Sequence, residues 1–520
     1  TLLGLAFKLY DPERLLGGEE DRGITLALIP TRTPGVEIGR RHNPLNIPFQ
    51  NGPTSGREVF IPLDWVIGGR EHVGQGWRML MECLAAGRSI SLPALSTGSG
   101  KLAARATGAY ARLRRQFHLP IGKFEGVEEA LARIGAYSYI MDGARRFTAQ
   151  AVDLGEKPSV ASAIVKYHLT ELMRRVVNDA LDVQGGSAIC LGPRNFLGRA
   201  YQALPISITV EGANILTRSL IIYGQGAVRC HPYVRKEMQA VADADRVRAL
   251  ATFDAAFFGH IGFTFSNAAR AFFLGLTGAR ALPVPVDGPA RRYAQRITRL
   301  SAAFAFASDV AMLVLGGALK RREKLSGRLA DALSYLYLAS ATLKHFEDQG
   351  RPPADRPLLD WALRDLLFRT EQALAGLIQN FPGAPARLLL RALIFPLGRR
   401  SRPPADRLGQ SVAELLLEPS AARERLTAGI FVPRAPGEAL ATLEQAFAKV
   451  VAADAVERKL RGLGRELGTP KQRDPSEAII ALGIKNGVIN DAEAVLLREV
   501  AALRREVIRV DDFPAGPFHS

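Results

Sequence analysis

The period of the hydrophobic pattern changes once in this chain, near Gly76, and that change limits the fold more than any other feature. Before it, apolar residues come in short or alternating runs. Residues 24–29 (Ile-Thr-Leu-Ala-Leu-Ile) make a compact strand ended by Pro30, residues 35–39 alternate apolar and polar, and residues 59–61 (Val-Phe-Ile) resume a strand before Pro62. Residues 43–56 are rich in Asn, Pro and Gly, which marks turns. After Gly76 the spacing becomes three and four. Residues 101–117 read as a basic helix stopped near Pro120, and residues 123–153 as a helix carrying Val127, Leu131, Ile134, Ile140 and Met141. Over residues 159–183, Val165, Leu169, Leu172, Val176 and Ala180 recur at helical spacing until Gly185-Gly186 closes the run. A mostly helical block from about 231 to 508 follows, punctuated by prolines at 283–289, 352–357, 382–385 and 403–404. The fold class is therefore α+β and mostly α: a β-layer over residues 1–75, a helical bundle over 76–236, and a helical extension over 237–520.

A length of 520 residues suits two to four such units. The three cysteines (Cys83, Cys190, Cys230) form no CxxC pair, which excludes a disulfide scaffold or zinc ribbon and fits a reducing compartment. The sequence opens on Thr-Leu-Leu-Gly with no initiator Met, so it is expected to be a fragment with its N-terminus upstream. A net charge of +17 calls for an anionic partner. Nucleic acid is not expected, because no zinc-finger spacing, aromatic RNP motif or basic zipper is present. CoA phosphates and an anionic membrane surface fit better. The strongest candidate for a membrane span, residues 302–317, is short and has Asp309 at its centre, so a buried helix is expected there. His168 and His231 read as packing residues. With no HxxxH, His/carboxylate cluster or GxSxG in the sequence, neither a metal nor a serine nucleophile is expected.

The stretch that carries chemistry is residues 208–217 (Ile-Thr-Val-Glu-Gly-Ala-Asn-Ile-Leu-Thr). Glu211 follows Ile206, Ile208 and Val210 and precedes Gly212. Apolar surroundings disfavour a carboxylate and tune it as a general base for a weak C–H acid, and a glycine lets a substrate approach closely. On spacing alone, a solvated glutamate at a helix start is the better explanation of Glu211. Glu211-Gly212, with the string from Ala203 to Tyr233, resembles the catalytic Glu-Gly element of acyl-CoA dehydrogenases of the bacterial branch with an extended C-terminus. Val210 stands where that family has Tyr and Ala213 where it has Thr.

Two more motifs follow the family's order. Arg114-Arg-Gln-Phe117 is similar to its Arg-x-x-Phe pattern, and Asp182-Val-Gln-Gly-Gly186 to its Gln-x-x-Gly-Gly element, with Asp182 in place of the usual Gln. The resemblance implies that Arg114, Phe117, Asp182, Gly185 and Gly186 bind the FAD of a neighbouring subunit, and that Ala213 and Asn214 contact FAD near the base. It implies that Arg88 and Gly212 lie along the acyl-CoA channel. Without the resemblance, Arg114 is one more exposed arginine, Gly185 a helix C-cap and Arg88 an ion-pair partner.

The family fold implied is a partial β-barrel domain over 1–75, an acyl-CoA dehydrogenase helical bundle over 76–236 carrying the base, and a second helical domain. A Trp-x-Thr/Ser flavin-stacking element and an N-terminal helical domain would precede Thr1. The implied activity is FAD-dependent α,β-dehydrogenation of medium- or long-chain fatty acyl-CoA, with Glu211 as base, electron-transfer flavoprotein as acceptor and a homodimer or larger assembly. An acyl-CoA oxidase, or an idle membrane or complex-assembly protein, are the alternatives. The expected location is cytoplasmic, peripheral on the inner face of the bacterial inner membrane. Residues 385–402, where Leu389, Leu393 and Phe395 alternate with arginines, are expected to form an interfacial helix.

Overall fold

A computed structural model describes residues 1–47, 52–435, 437–466 and 474–515, so the turn-rich stretch at 43–56 lies partly outside the described residues. Strand β1 (Leu2–Tyr10) pairs antiparallel with β2 (Asp21–Pro30), and β3 (Val36–Ile38) with β4 (Thr54–Gly56). These are separate two-stranded sheets, and no barrel closes among the described residues. Residues 59–61 do not form the predicted strand. They meet no partner edge, and Phe60 stands in solvent. The mostly apolar β1 does not alternate cleanly, which is why it was not legible as a strand.

The helices begin with α1 (Gly76–Leu113), 38 residues against the seventeen of the predicted basic segment. Ala103, Ala104, Ala106, Ala109 and Ala111 are fully buried, and their small size lets α1 run through the centre of the bundle. Helices α2 (Glu125–Asp153) and α3 (Ser159–Gln184) form where the periodicity placed them and pack on α1 and on each other. The short α4 (Gly186–Ile189) and α5 (Gly198–Thr209) follow. Next come α6 (Asn214–Leu216), a π-helix (Thr217–Gln225) and α7 (Gly226–Arg229).

The extension comprises α8 (Val234–Val241), α9 (Arg246–Thr277), α10 (Arg291–Leu315), α11 (Glu323–Asp348), α12 (Arg356–Gln379) and α13 (Ala384–Ile394). It ends in α14 (Asp406–Leu417), α15 (Ala421–Thr427), α16 (Ala439–Glu466), α17 (Glu477–Lys485) and α18 (Asp491–Ile508). Each proline cluster named above falls at a helix boundary, as its missing N–H and fixed φ dictate.

The extension shares one apolar core with the bundle. Gly135 of α2 touches Leu358, Val412 and Leu416, so α12 and α14 lie directly on α2. The arginines at the end of α1 and just beyond it are answered by α16: Arg105 pairs with Glu444 at 2.7 Å, Arg112 with Asp454, and Arg115 with Glu457 at 2.5 Å. Arg504 of α18 meets the same Glu457 at 3.0 Å. Losing one member of so buried a group typically costs about 3–5 kcal/mol.

Residues Gly288–Lys320 include a helix long and apolar enough by composition to cross a membrane, its most apolar 18-residue window having a mean hydropathy of 1.8. Half of that apolar window is buried, and Phe306 and Asp309 point inward, as expected for a core helix. The expected interfacial helix is corrected in part. Leu390, Ile394 and Phe395 are buried in the core, and only Leu388, Leu389 and Leu397 are left exposed, because α13 packs its inner face on α9 and α12.

His168 is a core residue, wedged between the rings of Tyr167 and Tyr335. Burial, aided by nearby arginines, pushes it down to about 3. The unfolded chain therefore binds a proton that the native state refuses between about pH 6.5 and 3, and this contribution to stability is lost as pH falls through that window. Between pH 7 and 5 the loss should approach ~2 kcal/mol. Urea titrations of wild type and His168→Gln at the two pH values should show a smaller acid loss in the variant.

Candidate active site

The first turns of α3 build the site. Ser162, Lys166 and Thr170 recur every fourth residue and so share one face, with Glu171 beside them. Lys166 is fully buried. Its ammonium donates to the carbonyls of Ile208 (3.1 Å) and Gly212 (2.8 Å) and to Asn214 Oδ1 (2.9 Å), which uses all three protons. Asn214 Nδ2 in turn donates to Thr170 Oγ1 and Glu171 Oε1, both at 3.0 Å. Thr217 Oγ1 donates to the Gly212 carbonyl at 3.0 Å. The chain from the end of α5 to the start of the π-helix is thus clamped from beneath.

Within the clamp, Glu211 (φ 54°) and Gly212 (φ 93°) are both left-handed. A side chain at 212 would be strained and would come within 3.1 Å of Thr217 Oγ1, so glycine is required there. For Glu211 the conformation costs roughly 1–2 kcal/mol, sustained by the hydrogen bonds beneath it. The turn throws the Glu211 carboxylate out onto open surface. The expected apolar enclosure is therefore corrected. Residues 198–209 are helix, not strand, and a spacing of two scatters Ile206 and Ile208 around it, while Val210 is 41% exposed.

Two cations instead lie within reach of the carboxylate's charge, without pairing with it among the described residues. Arg88 of α1 is half-buried and donates to Ser162 Oγ at 3.2 and 3.3 Å and to the Ser159 carbonyl at 3.4 Å. Burial lowers its pKa and Glu211 opposes the shift. Burial also pushes Lys166 down to about 8, again against the pull of Glu211. Arg88, Gly212 and Glu211 are therefore brought together. Asn214 is turned inward, with its amide spent on the clamp, and Ala213 sits half-buried at the start of α6.

The other motifs meet at the opposite end of α3. Arg114 closes α1, half-buried and with no carboxylate partner among the described residues. A small hairpin, β5 (Arg115–Gln116) with β6 (Leu119–Pro120), follows it. The hairpin turns on Phe117 (φ 47°) and His118 (φ 66°), the signature of a type I′ loop. Phe117 projects from its tip, 85% exposed, with only an edge contact to Phe124. Gln184 Nε2 donates to Thr107 Oγ1 at 2.9 Å, and the Tyr110 and Ser187 hydroxyls lie 3.1 Å apart, which ties the end of α3 to α1. Gly185 (φ 58°) and Gly186 stand beside this tie with nothing within 4 Å of where a Cβ would be. Asp182 is exposed nearby. A cavity of about 360 Å³ opens here between Tyr110, Gln184, Ser187 and Arg194 on one side and Arg509 and Asp511 on the other. Eighteen helical residues separate Lys166 from Gln184, roughly 27 Å along α3.

Residues 228–513 match the family described as acyl-CoA dehydrogenase, C-terminal, bacterial type, and residues 74–224 match the acyl-CoA dehydrogenase C-terminal domain. The chain belongs to the bacterial acyl-CoA dehydrogenase family. It is similar to Protein HemX of Proteus mirabilis, 62% identical over 104 residues that make up 20% of this chain and 61% of that protein. It is also similar to the probable acyl-CoA dehydrogenase FadE10 of Mycobacterium tuberculosis, 28% identical over 195 residues, 37% of this chain and 29% of that one. A solved acyl-CoA dehydrogenase from Bacillus anthracis, complexed with FAD, shares the fold at TM-score 0.59 and 17% identity, over 79% of this chain and 67% of that one. The chain thus spans less than two thirds of the length of these curated relatives.

In this acyl-CoA dehydrogenase chain the extension also buttresses the Glu211 turn. Arg218 in the π-helix pairs with Asp331 of α11, and Ser219 donates to Glu323 at 3.1 Å. Neither partner was legible in the sequence. Lys166 was missed too, although three polar residues at every fourth position on an apolar helix face were a usable signal. The reading that excluded a His/carboxylate cluster is corrected. His231, His260 and Asp309 place one ligand atom each within 4.8 Å of one another. They come from separate elements, so no spacing rule finds them. His231 Nδ1 accepts from the backbone N–H groups of Tyr233 and Val234 at 3.2 Å. The proton therefore sits on Nε2, which donates to Asp309 at 3.0 Å, leaving no lone pair there for an ion.

Proposed function

We propose that the protein catalyses α,β-dehydrogenation of a fatty acyl-CoA thioester to the trans-2-enoyl-CoA, with Glu211 as the base. The observation that carries this is the strained, clamped turn that presents one carboxylate on an open surface between Arg88 and Gly212. A buried clamp beneath an exposed, left-handed glutamate is hard to explain as a solvated helix start. Glu211 takes the α-proton. Arg88 and Lys166 hold positive charge beside the site where negative charge develops. Gly212 leaves room for the thioester to approach.

The residues present fit FAD. Gly185 and Gly186 have open space above their backbone, Arg114 has a planar fork for phosphate oxygens with no carboxylate partner among the described residues, and Phe117 offers an exposed ring. Asp182 at the same end, and Asp511 across the cavity, oppose a phosphate there. When bound, FAD supplies the acceptor for the hydride that leaves the β-carbon. Because these residues stand at the far end of α3 from Glu211, they serve the cofactor of a neighbouring subunit, and the working enzyme is at least a dimer. Medium to long acyl chains, electron-transfer flavoprotein as acceptor and a cytoplasmic, membrane-peripheral location complete the proposal.

Anaerobic absorption spectra of the full-length protein with and without palmitoyl-CoA test it. Bleaching of the flavin band is expected, and an unchanged spectrum would reject the proposed activity. Arg114→Ala should weaken flavin retention and oligomer stability together, since a ligand that bridges subunits stabilises their assembly. A flavin-replete monomer on size exclusion would contradict the shared site.

A further inference from the structure

The positive charge of the chain is unevenly compensated. Along α1 the arginines meet the carboxylates of α16, but at the junction of α9, α10 and the segment after α13 they do not. Arg292, Arg296 and Arg299 recur at four and three residues and so share one face of α10. With Arg280 and Arg400 they line a cavity of about 520 Å³. The end of α9 forms its remaining wall, where Gly278 (φ 62°) turns the chain and leaves the Arg400 and Arg292 guanidinium nitrogens 3.0 and 3.3 Å from where a Cβ would sit.

One carboxylate serves these five cations. Glu371 Oε1 lies 3.4 Å from Arg299, while Oε2 accepts the backbone N–H groups of Arg400 and Ser401 at 3.0 and 2.9 Å. Among the described residues, Arg292 donates only to the amide of Gln295 (3.0 Å) and Arg296 only to the hydroxyl of Ser401 (2.8 Å). No carboxylate lies within ion-pair distance of Arg280, Arg292 or Arg400 among the described residues. The C-terminus of α9 offers about half a negative charge, so roughly three to four positive charges remain uncompensated. Arg299 is 5% exposed, which removes the water that would otherwise screen it. Burial, then the neighbouring arginines, lower the pKa of Arg292, and burial lowers that of Arg296 and Arg299. A guanidinium does not give up its proton in proteins, so the repulsion is retained in the folded state until an anion relieves it.

We propose that this cavity binds the phosphate group of a polyanionic ligand, at a site separate from the Glu211 turn and from the Gly185–Gly186 end of α3. Planar forks converging from three sides suit the several oxygens of a phosphate or diphosphate. Such a group arrives either on a soluble phosphate ester or as the headgroup of an anionic phospholipid. The second source has a surface to rest on, since Phe273 and Leu276 at the end of α9 and Leu397 beside Arg400 are exposed.

The test uses the whole protein and the double variant Arg292→Gln/Arg400→Gln, whose side chains hold no ion pair and contribute nothing to the sites described above. Inorganic pyrophosphate should raise the melting temperature beyond sodium chloride of matched ionic strength. The variant should bind it about tenfold or more weakly. Without anion the variant should melt no lower than wild type, because the repulsion has been reduced. Turnover should be unchanged. Co-sedimentation with phosphatidylglycerol but not phosphatidylcholine vesicles, lost in the variant, would identify a headgroup as the source. Pyrophosphate binding without vesicle binding would identify a soluble phosphate. Stabilisation that sodium chloride reproduces, equal binding by the variant, or no binding of either probe would overturn the proposal.

Discussion

Glu211→Gln in the full-length protein should retain flavin and acyl-CoA while kcat falls by about 10²–10⁴, the usual contribution of a positioned base. The amide keeps the size and the left-handed backbone of the turn, so the clamp of Lys166, Asn214 and Thr217 should be undisturbed. What disappears is the acceptor for the α-proton. Stopped-flow reduction of the flavin by acyl-CoA reads this step directly, and thermal melting verifies that the fold survives. More than about a tenth of the wild-type rate, a barrier change under ~1.4 kcal/mol, would remove Glu211 from the role.

Lys166→Met should have the next largest effect, on structure and rate together. The substitution leaves the carbonyls of Ile208 and Gly212 and the Asn214 Oδ1 without the ammonium that satisfies them. Buried acceptors without donors cost about 1–3 kcal/mol each, and Thr217 still serves Gly212, so a loss of roughly 3–5 kcal/mol is expected. With the clamp loosened, Glu211 relaxes from its left-handed conformation and kcat should fall while the carboxylate remains present. A pH profile separates this from simple destabilisation. Because burial pushes Lys166 down to about 8, wild-type kcat should decline as pH rises through that value and one donor leaves the clamp. The methionine variant should lack that limb. A variant as stable and as fast as wild type would show that the clamp does not position the base.

The sequence by itself determined where α2 and α3 run and where the helices of the extension are interrupted. The bounds of α2 and α3 follow from apolar spacing, and every proline cluster of the extension lies at a helix boundary, because both rules act within a few residues of chain. It also singled out Glu211, Gly185 and Gly186 as candidates through the order of their motifs. What only the tertiary structure decided is who faces whom. The apolar run before Glu211 promised enclosure, yet its residues occupy a helix and the charge of the carboxylate acts on Arg88 and Lys166, which are 123 and 45 positions earlier in the sequence. The basic end of α1 is neutralised by carboxylates of α16 more than three hundred residues later, while the five arginines that line the cavity at α10 are left with one glutamate. Periodicity is a property of neighbours along the chain, but charge compensation and burial depend on distances in space, which helix packing sets.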